Sequence, residues 1–200
     1  AVEAGIYDVV LLSYNFKLSN LKETEEAIAR AAKAGVGLVA MKTMTGGTED
    51  AGGKKKINAQ ACLKWAWKTE HITTAIPGFS NYDELDECLV AARSPELTAG
   101  DQEYLATLCG QEMLYCQQCG KCRAQCPEHL PIPDIMRAYM YAYGYKYSRM
   151  SKETLGELNL SADICSNCET CQVKCPSGFD VSTKIAAITP VMQVPDEFLT

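Results

Sequence analysis

The sequence predicts an α/β fold over residues 1–110 and an all-α fold over residues 111–200. Two observations carry that prediction. The first part alternates short apolar runs with longer amphipathic ones, three times over. The second part holds two cysteine runs separated by residues with helical periodicity.

The elements of the first part follow in order. Tyr7 to Tyr14 is a short apolar run, expected to be a strand buried on both faces as in a parallel sheet. Asn20 and Glu23 have the spacing of a capping box. Lys22 to Ala34 then reads as a helix, ended by Gly35 at the position after the cap. Val36 to Met41 is a second strand, and Gly46-Gly47 and Gly52-Gly53 break the loop beyond it. Asn58 to Lys68 is a helix with Leu63, Ala66 and Trp67 on one face. Ile72 to Ile76 is a third strand, closed by Pro77-Gly78. Asp83 to Ala92 is a third helix, and Thr98 with Asp101 caps a fourth through about Cys109. The chain opens at Ala1 and enters a strand almost at once, which points to a missing upstream part. The order β-α-β-α-β-α implies a parallel sheet with right-handed crossovers. Three units form either a small open sheet or the last part of a barrel, which needs eight.

The second part is organised by Cys116-x2-Cys119-x2-Cys122-x3-Cys126-Pro127 and Cys165-x2-Cys168-x2-Cys171-x3-Cys175-Pro176. Eight of the eleven cysteines sit in these runs, which repeat at a period of 49 residues, from Cys116 to Cys165. Three cysteines at steps of three let one tight loop reach three corners of an iron–sulfur cube. That spacing is the ligand pattern of two-cluster bacterial ferredoxins, in which the fourth cysteine of each run ligates the other cluster. One [4Fe–4S] cluster is therefore expected on Cys116, Cys119, Cys122 and Cys175. The other is expected on Cys165, Cys168, Cys171 and Cys126. Zinc needs four ligands, and a doubled four-cysteine run over-supplies it. A disulfide framework suits a small secreted chain, and eleven cysteines cannot all pair within one chain. A [3Fe–4S] centre follows loss of a ligand, and none is missing.

Between and after the runs the reading is helical. Pro133 suits the first turn of a helix whose Ile135, Met136, Tyr139, Met140 and Tyr143 form a stripe ending near Gly144. That stripe is expected to line the clusters. The tyrosines and methionines from Tyr139 to Met150 are read as packing or an interaction surface. Ser151 is expected to cap a short helix to Leu158, and another helix follows Val181 to about Ile188, stopped by Pro190. The 38 residues between Cys126 and Cys165 favour a helical ferredoxin-like arrangement over a compact β-type one. Gly120 and Gly178 are expected to let backbone amides approach the clusters. The leftover Cys62, Cys88 and Cys109 are expected to be small buried hydrophobes. His71 and His129 have no partner at metal-ligand spacing and receive no role.

Composition narrows the function classes. Net charge is −6 with pI about 5.0, and the one basic run is Lys54-Lys55-Lys56, so no nucleic-acid surface is expected. No apolar run approaches a membrane span, so no membrane partner is expected. Thiolate chemistry without a targeting signal points to the cytoplasm.

Tyr7-Asp8-Val9-Val10-Leu11-Leu12-Ser13-Tyr14-Asn15, then Gly35-Val36-Gly37-Leu38-Val39-Ala40-Met41-Lys42, then Ile76-Pro77-Gly78-Phe79-Ser80-Asn81 resemble strands six, seven and eight of an aldo/keto reductase barrel. Followed by two cluster runs, the set is most similar to aldo/keto reductases with a C-terminal ferredoxin-type extension. The fold this implies is the last three βα units of a (β/α)8 TIM-type barrel, residues 1–110. An all-α, helical ferredoxin-like domain with two [4Fe–4S] clusters follows, residues 111–200.

The resemblance also implies what to look for. The family's catalytic Asp, Tyr, Lys and His come from earlier strands, so no catalytic residue carries over. Lys42 is read as a strand-end lysine facing the barrel mouth. The family binds NAD(P) through loops after strands seven and eight, here Lys42 to Gly47 and Gly78 to Asn81. Gly78, Ser80, Asn81 and Glu87 are the candidate contacts, and NAD(P) is a candidate cofactor of the full-length protein. The family's strand-six glutamine aligns with Leu11, its stacking tyrosine with Met41 and its helix asparagine with Cys88. The basic residue after the strand-eight proline aligns with Gly78, and the arginine gripping the 2′-phosphate with Glu84. That exchange of a cation for a carboxylate removes charge complementarity to a 2′-phosphate.

The first functional expectation is an iron–sulfur oxidoreductase of the aldo/keto reductase type, with a redox partner protein or a small-molecule carbonyl as substrate. The second is a non-catalytic electron carrier or docking module. The third is clusters that serve structure alone.

Overall fold

The structure is a computed structural model describing residues 2–45, 57–109, 115–161, 164–165 and 168–199. The expected glycine breaks at 46–47 and 52–53 and the basic run at 54–56 lie outside the described residues. The chain divides into two compact units, Ala1–Gln111 and Glu112–Thr200.

The first unit is built on β1 (Val9–Ser13), β2 (Gly37–Met41) and β3 (Thr74–Ala75). They form a parallel sheet in the order β1-β2-β3. Val10 pairs with Leu38 and Leu12 with Ala40, while Ala40 pairs with Ala75. Their side chains share one sheet face, because strand residues alternate. That face packs on Ile28 and Ala31 of α1 (Leu21–Lys33) and on Ala66 of α2 (Ala59–Ala66). Two further helices, α3 (Tyr82–Arg93) and α4 (Ala99–Cys109), complete the unit.

The opposite face corrects an expectation. The first strand is not buried on both sides: Val9 is 58% and Leu11 49% exposed. Among the described residues the helices cover one face only, so the register that buries Val10 and Leu12 turns Val9 and Leu11 to solvent. Beyond β3, Ile76 and Phe79 are also half exposed.

Helix ends follow local hydrogen bonding. Asn58 Oδ1 accepts from the Ala61 N–H, Asn81 Oδ1 from the Glu84 N–H, and Thr98 Oγ1 from the Asp101 N–H. Asp101 returns a bond by accepting from the Thr98 N–H, which completes a reciprocal cap. Asn20 behaves differently. It occupies the cap position of α1, but its side chain makes no capping bond. Its backbone at φ −118°, ψ 35° is not extended, so the amide is not presented to the first turn. Gly35 follows α1 at φ +77°, the left-handed position that favours glycine.

In the second unit every regular element among the described residues is helical. They are α5 (Ile132–Tyr139), α6 (Ser148–Glu157) and α7 (Val181–Ile188). The helix after the first run does not stay α-helical to Gly144: residues Met140–Gly144 form a π turn. A Cβ at Gly144 would lie 2.7 Å from the Tyr115 ring, so this turn closes tightly over Tyr115. The expected cap at Ser151 is also displaced. The sixth helix starts at Ser148, and Ser151 lies inside it, fully buried, with no hydrogen-bond partner on Oγ. Lys152 of the same helix donates to Asp196 Oδ1 at 2.7 Å and to the Val194 carbonyl at 2.8 Å, tying down the C-terminal segment.

Candidate metal centre

The repeat seen in the cysteine spacing is also a repeat of local structure. The fifth and seventh helices are each eight residues long, and Ile132 and Val181 start them 49 positions apart. His129 and Gly178, also 49 apart, both have left-handed backbone at φ +52° and +81°. The His129 N–H donates to the Cys126 carbonyl and the Gly178 N–H to the Cys175 carbonyl, each at 3.1 Å. Each half therefore runs from a cysteine loop through one tight turn into a helix. Gly120 and Gly178 take positive φ, which glycine favours; no described protein atom crowds the place of a Cβ at either.

The first loop wraps inward. Gln118 is held at φ +59° and Gly120 at +73°. The Gln118 N–H donates to Cys116 Sγ at 3.3 Å, and its side chain donates to the Pro133 carbonyl at 2.7 Å. In the second loop Cys165 itself has φ +72°, and its carbonyl accepts from the Cys168 N–H.

The thiols fall into two electrostatic groups. Burial pushes the Cys116 thiol up to about 11; the Gln118 N–H opposes that, and Cys122, Cys175 and Cys119 add to it. Burial raises Cys122, which also feels Cys119 and Cys175. Burial likewise raises Cys165, with Cys168, Cys126 and Cys171 as its neighbours. Cys116 and Cys122 thus each feel Cys175 of the other run, and Cys165 feels Cys126. None of the eight is paired in a disulfide.

Around them lies apolar packing: Ile135, Met136, Val173, Phe179 and Ile185 are buried together with Cys122 and Cys126. Of the expected stripe, Ile135 and Met136 are buried, Tyr139 packs partly against the same cluster, and Tyr143 is 45% exposed. Tyr139 and Tyr143 stack at 4.5 Å, and the Tyr143 hydroxyl donates to the Ala187 carbonyl. A surface cavity of about 450 Å³ exposes Cys171 and Cys175, one from each group, beside Lys174 and Phe179.

Among the described residues no three His, Cys, Asp or Glu converge as a single metal ion requires. Four irons at four corners ask for one thiolate each, farther apart than ligands that share one ion. The donor set, all soft thiols in two fours, fits iron–sulfur clusters. Binding must displace thiol protons that burial holds on, so assembly releases protons.

The other candidate contacts lie in the first unit. Gly78, Ser80 and Asn81 are exposed, and Gly78, Glu84, Glu87 and Cys88 line a crevice with Met44 and Ile57. The Ser80 N–H already donates to Glu84 Oε2 at 2.7 Å, and the Glu84 N–H to Asn81. The chain's own acceptors therefore occupy the amides at the start of the third helix. Lys42 is a left-handed residue at φ +55°, and its carbonyl accepts from Asn15 Nδ2. Of the leftover cysteines, Cys62 and Cys88 are buried, but Cys109 is exposed at the end of its helix.

Sequence reasoning missed Gln125. Its Oε1 accepts from the Lys174 N–H at 2.7 Å, and its Nε2 donates to the Lys121 and Lys174 carbonyls. The signal was its place immediately before Cys126, with Lys174 immediately before Cys175.

No helix among the described residues is long and apolar enough to cross a membrane. No curated protein and no solved structure matches the chain. A family model described as a 4Fe-4S dicluster domain matches residues 115–180, a span that takes in all eight cysteines of the two runs.

Proposed function

We propose that this protein is an iron–sulfur oxidoreductase that holds two [4Fe–4S] clusters. One is ligated by Cys116, Cys119, Cys122 and Cys175, the other by Cys165, Cys168, Cys171 and Cys126. The observation that carries this is the three-plus-one grouping of thiols across the repeat, within the span matched by the dicluster family. When bound, such clusters supply single-electron transfer. The chain's part is to exclude water with Ile135, Met136, Val173 and Phe179, and to donate the Gln118 N–H to Cys116 sulfur. The cavity beside Cys171 and Cys175 is the face through which a redox partner approaches.

For the first unit the proposed reading is the last three βα units of an aldo/keto reductase-type barrel. The support is a parallel sheet with helices on one face and apolar residues exposed on the other. Parallel sheets are ordinarily covered on both faces, and inside a barrel Val9 and Leu11 would be covered. Carbonyl reduction would then belong to the full-length protein in the cytoplasm. NADP binding by the usual contacts is disfavoured by Glu84, whose carboxylate takes the Ser80 amide, and by Asn81, which takes the Glu84 amide.

The second reading is an electron carrier without catalysis of its own. It is favoured by the surface cavity lined by Cys171 and Cys175, which gives a partner access beside one thiol of each group. Anaerobic purification with iron analysis tests the shared core of both readings, with about eight irons per chain expected. Zinc in place of iron would refute it. Full-length protein that oxidises NAD(P)H with an aldehyde or ketone supports the enzyme. Exchange of electrons with a reductase and no carbonyl turnover supports the carrier.

A further inference from the structure

The two segments that exchange cysteines are joined by one side chain. Gln125 precedes Cys126, and Lys174 precedes Cys175, 49 positions later. Gln125 Oε1 accepts from the Lys174 N–H at 2.7 Å, and Nε2 donates to the Lys174 carbonyl at 3.4 Å and to the Lys121 carbonyl at 3.0 Å. One amide thus grips both main-chain groups of the residue before Cys175 while standing next to Cys126. It also holds the loop between Cys119 and Cys122. The clasp is one-sided, because the residue at the equivalent place is lysine, whose ammonium has no acceptor to return the bond.

We propose that Gln125 is the positioning residue that sets how far the two exchanged cysteines cross, and so fixes the two four-thiol groups relative to each other. This rests on the two-cluster reading above. Nothing in the cysteine spacing does this work. Each run dictates its own loop, but the offset between the runs needs a contact that spans them. A bidentate side-chain amide supplies directional bonds to a backbone pair, which a hydrophobic contact cannot. Magnetic coupling between two reduced clusters falls steeply with their separation, so the offset has a spectroscopic readout that simple loss of packing would not mimic.

The test uses the full chain, purified anaerobically, in three forms: wild type, Gln125→Leu and Gln125→Glu. Leucine keeps the volume and removes every bond of the clasp. Glutamate keeps the acceptor for the Lys174 N–H and loses both donors. All three are expected to carry about eight irons per chain. The doubly reduced wild type is expected to show a split, coupled paramagnetic resonance spectrum. The leucine variant is expected to lose or shift that splitting, and the glutamate variant, whose second oxygen meets the Lys121 and Lys174 carbonyls, to shift it too. Unchanged splitting in either variant overturns the proposal. If the leucine variant does not load iron, the glutamate variant decides: full iron with altered splitting supports the role, and full iron with unchanged splitting, or equal loss of iron, overturns it. Wild type with far fewer than about eight irons sinks the two-cluster reading itself, independently of either variant.

Discussion

The crossing of ligands between the runs can be separated from in-run ligation by pairs of substitutions. In the grouping described here, Cys175 belongs with Cys116, Cys119 and Cys122, and Cys165 belongs with Cys126. Alanine offers no ligand, so each substitution disables the cluster that its cysteine serves. Cys116→Ala with Cys175→Ala then strikes one cluster twice, and iron falls from about eight to about four per chain. Cys165→Ala with Cys175→Ala takes one ligand from each cluster, and no intact [4Fe–4S] cluster is left on the chain. If each run held its own cluster, the two results would exchange places. The assay is iron and sulfide per chain after anaerobic reconstitution, with integration of the reduced paramagnetic signal to count the remaining clusters. The reverse order, or equal loss in both double variants, would refute the crossed assignment.

Three further outcomes follow from the geometry. Ser151 is buried inside its helix with an unpartnered hydroxyl, so Ser151→Ala is expected to be neutral or stabilising by about 1 kcal/mol. A cap would give the opposite sign, and the half-time for thermal bleaching of the cluster absorbance measures which applies. Thr98→Ala removes the acceptor for the Asp101 N–H and is expected to destabilise the first unit by about 1 kcal/mol. Both tryptophans, Trp65 and Trp67, lie in that unit, so their fluorescence during urea unfolding reads it directly, and an unchanged midpoint would refute the cap. Burial pushes the Cys62 thiol up to about 12, with the charge of Lys17 opposing the shift and Glu87 adding to it. At pH 8 its thiolate is on the order of one part in ten thousand, so iodoacetamide should label exposed Cys109 first. The raised value holds the proton on, so Cys62 labelling should rise only as pH climbs toward about 12. Mass spectrometry finding Cys62 modified before Cys109 would contradict this.

Much of the site was legible because its chemistry is local. A loop that offers thiols at steps of three is written in the residue spacing. The turn after each proline follows from a few consecutive residues. The two eight-residue helices at the same offset follow from the same repeat. The βα order of the first unit was legible for a similar reason, since apolar runs with period and length are properties of a segment. Boundaries were less so: the third strand shrinks to Thr74–Ala75, where pairing with β2 ends.

What the chain by itself determined was the spacing of soft donors, the alternation of strands and helices, and the net charge of −6. Only the tertiary structure decided which neighbours those segments meet. Val9 and Leu11 have the same apolar character as Val10 and Leu12, and only the one-sided helix layer makes them exposed. Ser151 and Asn20 look like caps by residue type, yet backbone angle and helix start take that role from both. Gln125 is an ordinary polar residue until folding sets it against Lys174, 49 positions away. A contact between distant residues depends on where the intervening chain returns, and that is a property of packing that no short window of sequence holds.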